Sequence, residues 1–85
     1  MSNGKNVVID ARRVIASALE VPVEDVPEDA SLDNFALWDS LGHMRIVGHL
    51  EEILGRSLEI EEVLAVVSVE SIAALIAGVA PTDVS

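Results

Sequence analysis

The sequence predicts an all-α fold, a four-helix bundle with three long helices, one short helix and a long loop between the first two. Three observations carry that expectation. Apolar residues recur at helical spacing in separate segments. The chain has 85 residues, of which 51% are hydrophobic and only 2% aromatic, so the core must come from Val, Ile, Leu and Ala. Pro22 and Pro27 break the helical pattern after the first segment and leave a long connection.

The first helix spans Val7 to Leu19. Val8, Ala11, Ile15 and Leu19 share one face, Val14 and Ala18 widen it, and Arg12 and Arg13 lie toward the other side. The connection Glu20 to Asp39, "EVPVEDVPEDASLDNFALWD", is long for a compact domain. Its apolar residues Val21, Val26, Leu32, Phe35 and Leu37 are spaced as anchors, so the loop is expected to be ordered across the bundle. The second helix runs from Ser40 to Leu54. Asp39 is its N-cap, with a negative charge suited to the helix dipole, and Gly55 is its stop. Leu41, Val47, Leu50 and Leu54 form the expected inward stripe, flanked by Ile46 and Ile53, while Gly48 weakens the helix locally.

A short third helix is expected over Ile60 to Leu64. The fourth runs from Val69 to Gly78 behind a Ser68 cap, with Ile72, Leu75 and Ile76 facing inward. Gly78 and Pro81 end it. The organisation is one domain over 1–85, with a core of about 7–79 and mobile tails at 1–6 and 80–85.

Composition excludes several functions. The chain has no cysteine, which rules out disulfides, thiolate metal sites and a cysteine nucleophile, and fits a reducing cytosol. Fifteen acidic residues against five basic ones give a formal charge of −10. Such a surface repels nucleic acid and anionic membranes, and steers toward basic partners. Neither a targeting pattern nor a bilayer-length apolar run is visible, so a soluble cytoplasmic monomer is expected.

Ser40 stands at the start of the second helix. Unpaired backbone N–H groups and a positive partial charge there would favour a phosphate on its hydroxyl. Asp and Ser are equally common at helix starts for capping alone, so "DS" by itself leaves both readings open.

The wider pattern is similar to the acyl carrier protein family of phosphopantetheine-bearing domains. In order, a first helix ends in "LEV", "PVEDV" forms an acidic Pro-containing turn, and "PEDASL" leads to a loop phenylalanine. Then come "DSL", an apolar-patterned helix, "LEEILG", a short helix and "SVESIAALI". The similarity covers about Val8 to Gly78. It implies a four-helix bundle of acyl carrier type that is not itself an enzyme. It also implies that 4′-phosphopantetheine is attached covalently to Ser40 by a phosphopantetheinyl transferase drawing on coenzyme A, with Asp39 and Leu41 as motif residues. The terminal thiol would then carry acyl groups as thioesters to acyl-loading and acyl-processing enzymes with basic docking surfaces, in fatty-acid, lipid or specialised-metabolite biosynthesis. In this family the second helix is the partner surface. Glu51 and Glu52 match its acidic pair, and Met44 an exposed apolar contact.

The chain departs from fatty-acid carriers at Gly42 and Arg45, where acids are usual, at His43, where a small hydroxyl residue is usual, and at Trp38. Arg45 would repel a basic groove, which points to a stand-alone carrier of a specialised pathway. His43 and His49 lie on different faces of the helix and cannot share a metal. His43 could touch the added phosphate or a partner, or simply be a surface histidine. Ser40, His43 and Asp39 nominally spell a triad, but a chain of this size offers no oxyanion hole or buried base. Two alternatives remain. A peptidyl or aminoacyl carrier would tend to be less acidic, with a glycine-rich approach to its serine. A small acidic helical adaptor would use Ser40 only as a cap and carry no prosthetic group.

Overall fold

The computed structural model describes residues 4–78. Four α-helices follow in order: α1 (Gly4–Leu19), α2 (Ser40–Leu54), α3 (Ile60–Ala65) and α4 (Val69–Ala77), with a 3-10 turn at Val23–Asp25. The expected bundle is present. α1 begins at Gly4 rather than Val7, so residues 4–6 are helical; the rest of the two expected tails lies outside the described residues.

α1 packs against both α2 and α4. Its Ala11, Val14, Ile15 and Ala18 meet Ile46, Val47 and Leu50 of α2 and Val69, Ile72 and Ala73 of α4. Apart from Val69 and Ala73, these are aliphatic side chains that the periodicity marked, but the core also holds an aromatic ring. Trp38, the chain's single tryptophan, is the largest fully buried side chain at 1% exposure. A ring of that size dominates the buried area near it, so the core is not purely aliphatic.

The inward stripe of α2 also differs from the expected one. Gly42, Ile46, Val47 and Leu50 are buried, whereas Leu41 and Ile53 are exposed. Positions 42, 46 and 50 repeat every four residues and 47 lies beside them, so Ile46 takes the inward place expected for Leu41.

The long loop is ordered, but its anchors are Val26, Ala30 and Trp38, with Val21 and Phe35 half-buried; Leu32 and Leu37 are exposed. Backbone hydrogen bonds hold it to the start of α4, Leu32 N–H to Val67 O (2.9 Å) and Val69 N–H to Ala30 O (3.0 Å). Arg12 is not turned to solvent as expected. Its guanidinium donates to Val26 O (2.7 Å) and Val23 O (3.2 Å) and pins the 3-10 turn to α1. A long basic side chain can pack its stem along the bundle and add its fork to carbonyls of the turn, here Val26 O and the second lone pair of Val23 O, which also accepts Val26 N–H.

The helix ends follow the sequence signals. Gly55 and Gly78 both take the left-handed conformation that ends α2 and α4. The Ser68 hydroxyl accepts from Ser71 N–H, and the Ser71 hydroxyl accepts from Ser68 N–H, a reciprocal capping box. α3 has no fully buried residue; its Val63 packs against the core and polar ties add to that. Arg56 grips Glu62 with two hydrogen bonds (2.9 and 2.8 Å), and the Glu62 carboxylate also accepts Glu59 N–H (2.9 Å). Among the described residues, no helix is long and apolar enough to cross a membrane.

Candidate functional site at the start of α2

Ser40 is the first residue of α2, and it is exposed. The preceding Asp39 has extended backbone, and its carboxylate accepts Gly42 N–H at 2.8 Å. This is the expected cap, and it fixes where the helix begins. The N–H groups of the first turn that Asp39 does not take have no acceptor within the helix and point out of its end. The Ser40 hydroxyl therefore stands in solvent beside a positive helix terminus, a setting that suits an attached phosphodiester. The negative charge of Asp39 partly offsets that field.

Three neighbours fix the geometry of this terminus. Gly42 is buried, and a Cβ there would lie 2.7 Å from Leu19 Cδ2, 2.8 Å from Leu37 O and 3.3 Å from the Asp39 carboxylate. Only glycine lets α2, the end of α1 and the loop approach so closely. The glycine that departs from the fatty-acid carrier pattern is thus explained by packing. Trp38 Nε1–H donates to His43 Nδ1 (3.0 Å), and the two rings stack at 6.2 Å. His43 Nε2 lies 2.8 Å from Val63 O. Because Trp38 can only donate, Nδ1 is the acceptor and the proton sits on Nε2, facing the carbonyl. His43 is therefore neither a spare surface residue nor turned toward the Ser40 hydroxyl. It links the residue before the helix, the first turn of α2 and the middle of α3.

The expected partner residues divide. Met44 is 56% exposed, as expected, and Leu41 is 64% exposed beside it. Arg45 and Glu52 are exposed. Glu51 is half-buried, and its carboxylate accepts Leu58 N–H at 2.9 Å, so it also holds the loop after α2. Leu37 of the loop and Ile60 and Leu64 of α3 add exposed apolar side chains. The sequence reading missed Leu37 as a surface residue, because apolar loop positions carry no periodicity to give their direction. It placed Leu41 inward, although the cap at Asp39 fixed the helix phase.

His49 lies elsewhere, with Nδ1 3.0 Å from Arg45 O and Nε2 3.4 Å from the Ser17 hydroxyl. Among the described residues, no group of three or more His, Cys, Asp or Glu side chains could hold a metal ion.

An open groove of about 580 Å³ includes Ser40 in its lining, together with loop residues 32–36, Trp38 and Asp39. A family model described as "Phosphopantetheine attachment site" matches residues 10–76, most of the chain. No curated protein matches the chain significantly. Domains of the matched family are non-catalytic carriers that hold 4′-phosphopantetheine covalently and work with phosphopantetheinyl transferases and acyl-processing enzymes. The residues at the α2 terminus fit such a group: an exposed hydroxyl, free first-turn donors and open space adjoining both.

Proposed function

Since this chain belongs to the phosphopantetheine-attachment family, we propose that it is an acyl carrier protein whose prosthetic group is esterified to Ser40. When bound, that group supplies a thiol on a flexible arm, which holds an acyl group as a thioester. The protein's own part is presentation. α1 and Gly42 seat the start of α2, Asp39 caps it, and Ser40 is held in solvent at its tip. A tethered cargo reaches each successive active site at high effective concentration. The observation that carries this reading is the exposed serine at a capped, phosphate-compatible helix start within the matched segment.

The proposed pathway class is fatty-acid, lipid or specialised-metabolite biosynthesis, in the cytoplasm, with the protein as a monomer. A formal charge of −10 and the lack of cysteine support an acidic carrier of a reducing compartment. The proposed docking face is α2 with the edge of α3. Leu41 and Met44 give apolar contacts, Glu52 an acidic one, and Arg45 a positive charge that narrows the choice of basic partners. Glu51 serves the same face with one oxygen engaged by the backbone of Leu58.

The test uses coenzyme A, magnesium and a broad-specificity phosphopantetheinyl transferase, with intact mass as the readout. The expected result is one added phosphopantetheine on the unaltered chain and none on Ser40→Ala. Failure under several transferases would favour an adaptor that carries no group.

A further inference from the structure

α3 is tied to α2 by a bond that its own backbone does not supply. The last carbonyls of a helix find no donor within it. Val66 N–H bonds to Glu62 O and Val67 N–H turns to Ala65 O, which leaves Val63 O to the Nε2–H of His43 (2.8 Å). Among the described residues, this is the only hydrogen bond from α2 to α3 itself. The Arg56–Glu62 pair ties the first turn of α3 to the preceding loop rather than to α2, and exposed pairs of this kind contribute little.

His43 makes that bond in one orientation. Its Nδ1 faces the indole N–H of Trp38 (3.0 Å), which can only donate, so the ring's proton is on Nε2 and points at α3. Trp38 is buried two residues before Ser40, and His43 lies three residues after it, in the first turn of α2. One ring therefore joins the segment that carries Ser40 to the middle of α3.

What α3 presents gives that placement a use. Ile60 and Leu64 are the two most exposed large apolar side chains among the described residues, and at four residues apart they share one face. An enzyme that closes over the Ser40 hydroxyl must also cover the surface about it. The middle of α3 stands one side chain away from the first turn of α2.

We propose that His43 is a positioning residue for loading: it keeps the Ile60–Leu64 edge of α3 in register with Ser40, so that the phosphopantetheinyl transferase meets both at once. The proposal rests on the reading of Ser40 as the attachment residue. His43 is not turned toward the Ser40 hydroxyl, so its loss leaves the reacting group in place. It loosens an edge that the transferase grips equally before and during transfer. A loss of that kind raises KM and leaves kcat as it was.

The experiment measures transferase kinetics with coenzyme A on the apo protein and its variants, with intact mass for the product. The indole N–H resonance of Trp38, the chain's single tryptophan, reports on the link. His43→Asn keeps an acceptor close to the place of Nδ1 but falls short of Val63 O. It should hold the indole resonance, load completely, and raise KM roughly three- to tenfold at unchanged kcat, a coupling typical of residues in one network. His43→Gln, whose longer carboxamide offers an acceptor and a donor, should recover most of the KM. Leu64→Ser, at an exposed position, should raise KM by itself, and His43→Asn added to it should raise KM little further. Ile72→Val, a core change in α4, controls for stability and should leave KM unchanged. An unchanged KM in His43→Asn or in Leu64→Ser, a fall in kcat instead, full additivity of the two changes, or an equal rise in Ile72→Val would overturn the positioning role and leave the attachment reading intact. No added mass on the unaltered chain would overturn the attachment reading and the proposal with it.

Discussion

His43 shows how a single side chain can join three parts of the fold. Its Nδ1 accepts the only N–H of a buried indole, and its Nε2 meets a carbonyl of α3. Replacing it with phenylalanine leaves the N–H of Trp38, whose side chain is 1% exposed, without this partner, which costs about 1–3 kcal/mol. The same change in a Trp38→Phe background should cost less, because no orphaned donor remains. Urea denaturation of the four proteins in this cycle measures the difference; equal costs in both backgrounds would show that the bond contributes nothing. None of this was legible in the sequence. His43 and Trp38 are five positions apart across a helix boundary, and the contact depends on how the loop turns into α2. Ser40 and Asp39, by contrast, were readable because capping is local chemistry: donor, acceptor and spacing all lie within four residues.

The four helices, and the ends of α2 and α4, followed from local signals as well, through apolar periodicity, an Asp or Ser cap and a terminal glycine. What those signals could not give was the role of each glycine inside α2. Gly42 and Gly48 look alike in sequence. In the fold, a Cβ at 42 would press on Leu19 and a backbone carbonyl, whereas a Cβ at 48 would meet nothing within 4 Å. Ala at 48 should therefore stabilise the protein by about 0.5–1 kcal/mol, the usual helix preference of Ala over Gly. Ala at 42 gains the same preference but forces a clash with Leu37 O, and the net effect should be a loss of roughly 1–2 kcal/mol. Thermal and urea unfolding of the two variants would show opposite signs; two stabilised proteins would refute the close approach.

α3 carries an exposed charged tie, Arg56 to Glu62. Hydrogen bonds from Arg56, and then one from Glu59 N–H, hold the Glu62 carboxyl at about 2, down from the usual 4.5. A lowered acid stabilises the fold above its unfolded value and loses that contribution as pH falls through its folded value. The tie on α3 is thus complete above about 4.5 and weakens as pH drops toward 2. Carboxyl NMR titration should place the Glu62 midpoint near 2, and Arg56→Gln should move it up toward 4.5. A midpoint near 4.5 in the unaltered protein would contradict the pair.

At the scale of the molecule, an acidic chain with a net charge of −10 presents one capped serine among exposed Leu37, Leu41 and Met44. Fold class and family were legible because both depend on order along the chain. The composition of the docking face was only half legible, since the phase of α2 turned Leu41 outward and drew Glu51 toward Leu58. A face of this mixed kind predicts that transferase loading slows with added salt yet does not stop. Exposed charges are screened beyond about 10 Å at 0.1 M salt, whereas apolar contacts are not. Loading rates measured across a salt series would show this, and a flat profile would argue that charge has no part in recognition.

The central claim is the identity of the attachment residue, and tryptic digestion of the loaded protein tests it most directly. Cleavage after Arg13 and Arg45 releases one peptide, Val14–Arg45, that contains Ser17, Ser31 and Ser40. Fragmentation of that peptide should place the added phosphopantetheine on Ser40 alone; the group on Ser17 or Ser31, or no group on any of the three, would contradict the account.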